Sequence, residues 1–390
     1  MRIAFLYLYI FAIISGCSLD NLEPSQTNTF LKFYSETNEM ESKDLIVLND
    51  GFLVLSTYSE SSSLLMKTDL LGNKLWAQSI NDFLGSSLVE IADGYILIGD
   101  GINSDDDSTY MQLIKTDFDG GINTTIQVGY GAQHGSAIML SSTNEIIALG
   151  YTSTGQLNDS NDSTYVIING YDTNLTKTWD EIRQYPVFGV DIIPSKSLYE
   201  SNNGKLNWIS YSSQDEIITN TDLTAISPDA APVGNLPLFD QNSAANFEGD
   251  LVKTSVGFAM VQTVAENGFK IGIATSINGV VMDEFVIPLE FNSIVSSITN
   301  TSNGLLIAAT SDNHEERERS DWNLLLLEVD INGQAKTNGI NVSYGGDGDE
   351  IPVRIRNAKD GGYVVLGTSV NTKGAKQTFI LKTNKNGLLE

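Results

Sequence analysis

Apolar residues along this chain come in short bursts. Runs such as FLVLS (52–56), YILIG (95–99), IIALG (146–150), LLIAAT (305–310) and YVVLG (363–367) span five or six residues, and Gly, Asn, Asp, Ser or Thr brackets them. From Asn28 onward no stretch carries the three-to-four-residue spacing of an amphipathic helix, so the pattern predicts strands separated by tight turns. Several bursts, YVVLG and LLLLEV (324–329) among them, are apolar at consecutive positions. A strand with one wet face alternates; an unbroken run fits a strand covered on both sides.

The bursts also repeat. A turn of the form Asp-x-x-Gly follows an apolar strand in KTDLLGNKLW (Asp69, Gly72), KTDFDGGINT (Asp117, Gly120), EVDINGQAKT (Asp330, Gly333) and KTNKNGLLE (Asn384, Gly387). Weaker copies fall at Asp172, Asp222 and Ser276, which gives separations of 48, 55, 50, 54, 54 and 54 residues. A second column of turn residues, Gly51, Gly94, Asn144, Gly204, Gly257, Gly304 and Gly362, precedes an apolar burst in every unit. Each unit holds four short strands, so the expected fold is all-β: a seven-bladed β-propeller with four antiparallel strands per blade. The seventh unit stops after its third strand, QTFILKTN (377–384), while an unassigned strand, NTFLKFYSE (28–36), precedes the first unit. That N-terminal strand is expected to complete the last blade and close the ring, leaving no exposed edge. The fourth unit is the least regular.

The N-terminus reads as a secretion signal: Arg2, an apolar run from Ile3 to Ile14, then Ser15 and Gly16 before Cys17, the single cysteine. The run is too short to span a bilayer, which takes about 20 residues. Ile14-Ser15-Gly16-Cys17 resembles the lipobox of bacterial lipoproteins, which implies cleavage before Cys17, acylation of that cysteine with palmitate-type chains and an outer-membrane anchor. The expected domains are therefore a signal peptide (1–16), a lipidated cysteine with a polar tether (17–27) and the propeller (28–390). SLDNLE after Cys17 loosely resembles the export signal of Bacteroidetes lipoproteins, so cell-surface and periplasmic faces both stay open.

The units themselves resemble the propeller repeats of bacterial (Bacteroidetes-type) surface lipoproteins, through the strand around Tyr363, the strand from Leu113 to Asp117 and the outgoing Trp76. The Asp-to-Trp spacing is also loosely similar to quinoprotein repeats, although the cysteine pair and metal ligands of those enzymes have no counterpart here. Likeness to propeller lipoproteins implies as one alternative a scaffold for outer-membrane protein assembly.

Charge narrows the partners. With 22 Lys plus Arg against 49 Asp plus Glu, the formal charge is −27, which disfavours nucleic acid. One cysteine excludes internal disulfides and cysteine-based metal sites, and two histidines, His134 and His314, exclude a multi-histidine one. The connections of variable length fall on one face of the ring and make it acidic: Asp105, Asp106, Asp107, Asp159, Asp162, Asp347, Asp349 and Glu350, with His134 among them. This loop face is the candidate binding surface. No cofactor is expected; calcium is the cation such carboxylates suit, but their spacing lacks the mid-loop Gly and closing Glu of an EF-hand. The repeated turn Asp residues are read as backbone caps, and DST at 107–109 and 162–164 matches a short O-glycan acceptor pattern. The reading is a lipid-anchored, non-enzymatic module for a protein or glycan partner; the alternative is a polysaccharide- or peptide-acting hydrolase or lyase using acidic loop residues. Replacing Cys17 by Ser is expected to abolish incorporation of labelled palmitate and to move the protein from the membrane fraction to the soluble one.

Overall fold

The computed structural model describes residues 28–390 except 38, 104, 107, 129–131, 153–163, 185–190, 203, 215–216, 227–234, 239–248, 256, 266–267, 278–279 and 313–320. Cys17 and the tether lie outside the described residues, as do the second DST copy and the HEERERS loop.

Every element among the described residues is a strand, and the strands form seven four-stranded antiparallel sheets. Strand β1 (Phe30–Tyr34) stands apart at the start of the chain. The first sheet is β2 (Glu41–Val47), β3 (Gly51–Ser59), β4 (Ser62–Asp69) and β5 (Lys74–Asn81). The second is β6 (Phe83–Ile91), β7 (Gly94–Ile102), β8 (Thr109–Thr116) and β9 (Ile122–Val128), and the third β10 (Gln133–Leu140), β11 (Ile146–Thr152), β12 (Tyr165–Tyr171) and β13 (Lys177–Gln184). The fourth is β14 (Asp191–Glu200), β15 (Leu206–Gln214), β16 (Ile217–Ile226) and β17 (Asn235–Leu238). The fifth is β18 (Asp250–Lys253), β19 (Gly257–Ala265), β20 (Phe269–Ile277) and β21 (Val280–Val286). The sixth is β22 (Ser293–Asn300), β23 (Leu305–Ser311), β24 (Asn323–Val329) and β25 (Asn341–Tyr344). The seventh is β26 (Gly348–Asn357), β27 (Tyr363–Asn371) and β28 (Lys376–Thr383), completed by β1, which pairs with β28 from Phe30↔Lys382 to Tyr34↔Thr378.

The Asp-x-x-Gly turns form as caps. Asp69 Oδ1 accepts the N–H groups of Leu71 and Asn73 at 2.9 and 2.8 Å, and Asp117, Asp172, Asp330 and Asn384 repeat the arrangement. Gly72 has φ +73°, and a Cβ there would also lie 2.4 Å from the Phe30 ring of the seventh sheet. Gly120 meets Trp76 in the same way, so these glycines serve both the turn and the approach of the neighbouring sheet. Two of the seven expected turns are misplaced. Asp222 lies inside β16, paired with Ser210 and Pro237, because that strand runs on for ten residues. Ser276 lies in β20, and only two residues separate β20 from β21.

Burial explains the unbroken apolar runs. Among the described residues seven apolar clusters occur, and each takes its residues from two sheets: first and second (Leu55, Leu97), second and third (Ile98, Ile167), and so on, with Val54 and Leu366 joining the seventh to the first. A middle strand therefore loses water from both faces, at roughly 1.5–3 kcal/mol per large apolar side chain. The seventh-to-first joint carries polar links as well: Ser42 N–H donates to Thr368 Oγ1 at 2.9 Å and Ser42 Oγ to the Gly367 carbonyl at 2.6 Å.

The first strand of each sheet meets its counterparts, and here charge is buried. Six of these strands carry a bulge at equivalent places, as at Ser42/Asp44, Gly85/Ser87 and Pro352/Arg354. Just past the bulges sit Asp44, Ser87, Ser297 and Arg354, Ser197 lies within the irregular stretch of β14, and Asp250 lies on the regular β18; all are buried. Arg354 Nε donates to Asp44 Oδ1 at 3.0 Å, its Nη1 lies 3.6 Å from Asp250 Oδ1, and its Nη2 donates to the Lys196 carbonyl at 2.8 Å. Asp44 Oδ2 also accepts Ser87 Oγ (2.8 Å) and the Leu88 N–H (3.1 Å). Asp250 accepts from Ser197 Oγ, from Ser297 Oγ at 2.5 Å and from the Ile298 N–H at 3.1 Å. Burial alone would raise the Asp250 pKa, but Arg354, then Arg356 and the two serines, hold it below the usual carboxylate range.

Replacing Arg354 by Ala leaves two buried carboxylates facing each other and is expected to cost about 3–5 kcal/mol in urea unfolding, with Arg354→Met less severe when combined with Asp44→Asn and Asp250→Asn. Because the folded Asp250 pKa is depressed, its contribution is fully present above the unfolded Asp value and is lost as pH falls through the folded one, so acid unfolding should shift to higher pH in Asp250→Asn.

Candidate functional site

The loop face is built where the first strands begin and where second strands pass to third strands. Near its centre lies an open cavity of about 620 Å³, lined in part by Glu41, Lys43, Glu60, Asp100 and Lys376. A second cavity, about 570 Å³, is reached beyond the buried Arg354 network and is lined by Glu90, Tyr199, Arg356 and Asn357. Lys196 borders both, and Asp44 and Arg354 of the ionic network line the second. Glu41 bridges Lys376 and Lys43 at the rim, so Lys376 adds an ionic tie between the seventh sheet and the first.

His134 has a built environment. Asp100, the last polar residue of the GYILIGD burst, places Oδ2 at 2.8 Å from His134 Nδ1, and its Oδ1 accepts the Gly135 N–H at 2.9 Å. The imidazole stacks on Tyr151, with ring centroids 4.7 Å apart and planes at 26°. Both His134 and Asp100 remain about one-fifth exposed, open enough to meet a ligand. The pair joins β7 of one sheet to β10 of the next, which is why 34 residues of sequence separate two groups in contact.

The other candidates lie apart from it. Asp349 Oδ1 accepts the Trp322 N–H at 2.9 Å, the Trp322 carbonyl accepts the Glu350 N–H at 2.8 Å, and Glu350 accepts the Gly346 N–H at 3.1 Å. Burial raises the Glu350 pKa, and the charges of Asp349 and Asp321 push the same way, against the hydrogen bonds from Gly346 and Ser369. Asp347 takes part in an interaction of its own. Asp105 and Asp106 close a local turn, in which Asp106 accepts the Ser108 N–H at 3.0 Å and Asn103 that of Asp105 at 3.1 Å. Asp107, Asp159 and Asp162 lie outside the described residues. Among the described residues no three His, Cys, Asp or Glu side chains gather as a cation site would require.

Sequence reasoning missed Asp100 and the buried trio of Asp44, Asp250 and Arg354. The signal for the trio was present: a charge inside an apolar burst at one place in the unit, SKDLIV, GDLVK and IPVRIR. Of the four tryptophans, Trp208 is fully buried and Trp76 and Trp179 pack against apolar clusters between sheets.

No family model and no curated protein matches the sequence. Solved structures do match the fold. A Dyadobacter fermentans protein of unknown function aligns at 12% identity and TM-score 0.52, over 91% of this chain and 98% of that one. The polysaccharide lyase Uly1 aligns at 10% identity and TM-score 0.56, over 90% and 91%. An acylaminoacyl peptidase of Pyrococcus horikoshii aligns at 10% identity and TM-score 0.50 over 90% of this chain, which spans 53% of that one. Identities this low speak to architecture alone: the protein is an all-β, propeller-type fold.

Removing the Asp100 carboxylate strips one buried-side partner from His134 and one from the Gly135 N–H. Asp100→Ala is expected to destabilise by about 1–3 kcal/mol in chemical denaturation, and His134→Ala by less, because the Gly135 bond survives it.

Proposed function

We propose that the protein is a seven-bladed propeller closed by its own N-terminal strand, anchored through lipid on Cys17 to the bacterial outer membrane, and that its loop face binds a protein or glycan partner without transforming it. The observation that carries the reading is the commitment of Asp106, Asp349 and Glu350 to backbone N–H groups on separate connections, beside an open depression in which Glu41 is paired with Lys43 and Lys376. Groups so engaged shape a surface. The β1–β28 pairing and the apolar cluster between the seventh and first sheets support ring closure. The lipobox-like Ile14-Ser15-Gly16-Cys17 supports the anchor.

A second reading rests on His134. An imidazole held by Asp100 and stacked on Tyr151 at the edge of the loop face is suited to general-base work on a polysaccharide or peptide, and a lyase is among the structural neighbours. The two readings separate on one experiment. The mature domain is screened against a panel of anionic and neutral glycans by thermal shift and for release of unsaturated or reducing ends. A binding module gives a shift without product, and single changes at Asp106, Asp349 or His134 weaken binding by less than about tenfold each. Product formation that His134→Ala abolishes would replace the first reading with the second.

A further inference from the structure

We infer that the face carrying the Asp-x-x-Gly turns is not free surface: in the sixth, seventh, first and second sheets it rests on a lipid bilayer, with exposed leucine, isoleucine and phenylalanine side chains entering the interfacial layer. The inference builds on the Cys17 anchor and goes beyond it, since a tether alone fixes neither the orientation of the domain nor which face is left free.

Exposed large apolar side chains are distributed one-sidedly. Leu70 and Leu71 occupy the tip of the first sheet's turn, Phe118 that of the second, Ile331 that of the sixth, and Leu388 and Leu389 the end of the chain beside the seventh. Leu75, 55% exposed, and Ile122, 47% exposed, follow directly after the first two turns. Eight of the twelve exposed large apolar residues among the described ones thus lie on this face, and all eight belong to four consecutive sheets. In the third sheet the corresponding turn places polar Thr173 and Asn174 at its tip.

The seam lies in the middle of that sector. Thr29 is bonded to the backbone of Glu390, beside Leu388 and Leu389, and Lys32 reaches Asn73 at 2.6 Å, beside Leu70 and Leu71. Chain entering β1 therefore comes from this face. Residues 17–27 span at most about 40 Å fully extended and about 18 Å as a flexible coil. An acylated Cys17 would hold this face, and not the acidic loop face, within reach of the headgroups.

The polar chemistry of the turns agrees. Asp69, Asp117 and Asp330 already accept backbone N–H groups of their own turns, so the tips present apolar side chains over satisfied backbone, and Lys32 and Lys385 supply cations at the seam. Interfacial apolar residues are the second signal that a lipid anchor needs for a stable, oriented association.

The test uses the full-length lipidated protein in phosphatidylcholine vesicles. Leu71→Cys on the turn face and Lys373→Cys on the loop face each introduce one free thiol, because the native cysteine is acylated, and each is labelled with an environment-sensitive fluorophore. Doxyl-labelled lipid should quench the label at 71 at least twofold more than the label at 373, and the combined change of Leu70, Leu71 and Leu388 to Ser should remove orientation-dependent quenching at a second turn-face position, Ile331→Cys, while flotation persists. Flotation with equal quenching at 71 and 373 overturns the inference while sparing the anchor. Failure to float defeats the anchor, and the inference with it. A Cys17→Ser protein that sediments as a dimer, and as a monomer once the three leucines are Ser, would assign the patch to a second copy instead.

Discussion

One buried guanidinium holds together strands that the sequence keeps far apart. Arg354, on the first strand of the seventh sheet, lies between Asp44 of the first and Asp250 of the fifth, and it also bonds the backbone of the fourth at Lys196. Each carboxylate then accepts a serine hydroxyl and a main-chain N–H from the sheet that follows it, Ser87 and Leu88 for Asp44, Ser297 and Ile298 for Asp250. Removing charge from water is expensive, and pairs of this sort add little net stability over an apolar substitute. What they add is discrimination. An arrangement with one sheet missing or displaced would strand a charge in low dielectric, where an unpaired group costs several kcal/mol.

That constraint shapes the rest of the molecule. Asp44 and Arg354 of the network line the cavity that Arg356 and Tyr199 also border, and Lys196, whose carbonyl Arg354 bonds, borders the loop-face cavity as well. Bulges just ahead of these residues turn the first strands so that alternate groups point inward, and the apolar middle strands pack between neighbouring sheets. The seam obeys the same rules as the other joints: Phe30 stands against Gly72 as Trp76 stands against Gly120.

Much of this was legible in the residues, and the exceptions have physical causes. Turns at Asp69, Asp117, Asp172, Asp330 and Asn384 were readable because a short carboxylate or amide followed by a positive-φ residue is a local solution. Gly51 and Gly362 were readable as a column, and in each a Cβ would lie within 2.0 Å of a neighbouring-strand carbonyl. Asp222 and Ser276 were misread because strand length and hairpin type are set by pairing across the sheet, which period counting does not see. The Asp100–His134 pair and the Arg354 network join residues from different sheets, and only the trio's place inside apolar bursts sets its charges apart locally from solvated ones. At the candidate site, the sequence singled out His134 but not the carboxylate that holds it.

The central claim is that the seven sheets behave as one cooperative body keyed by the buried network. Native-state hydrogen exchange at the Leu88 and Ile298 amides, which donate to Asp44 and Asp250, tests it most directly. Their opening free energies should equal each other and the global unfolding free energy, and should fall together in Arg354→Met. Exchange of one of them through a smaller, local opening, unaffected by that substitution, would contradict the account.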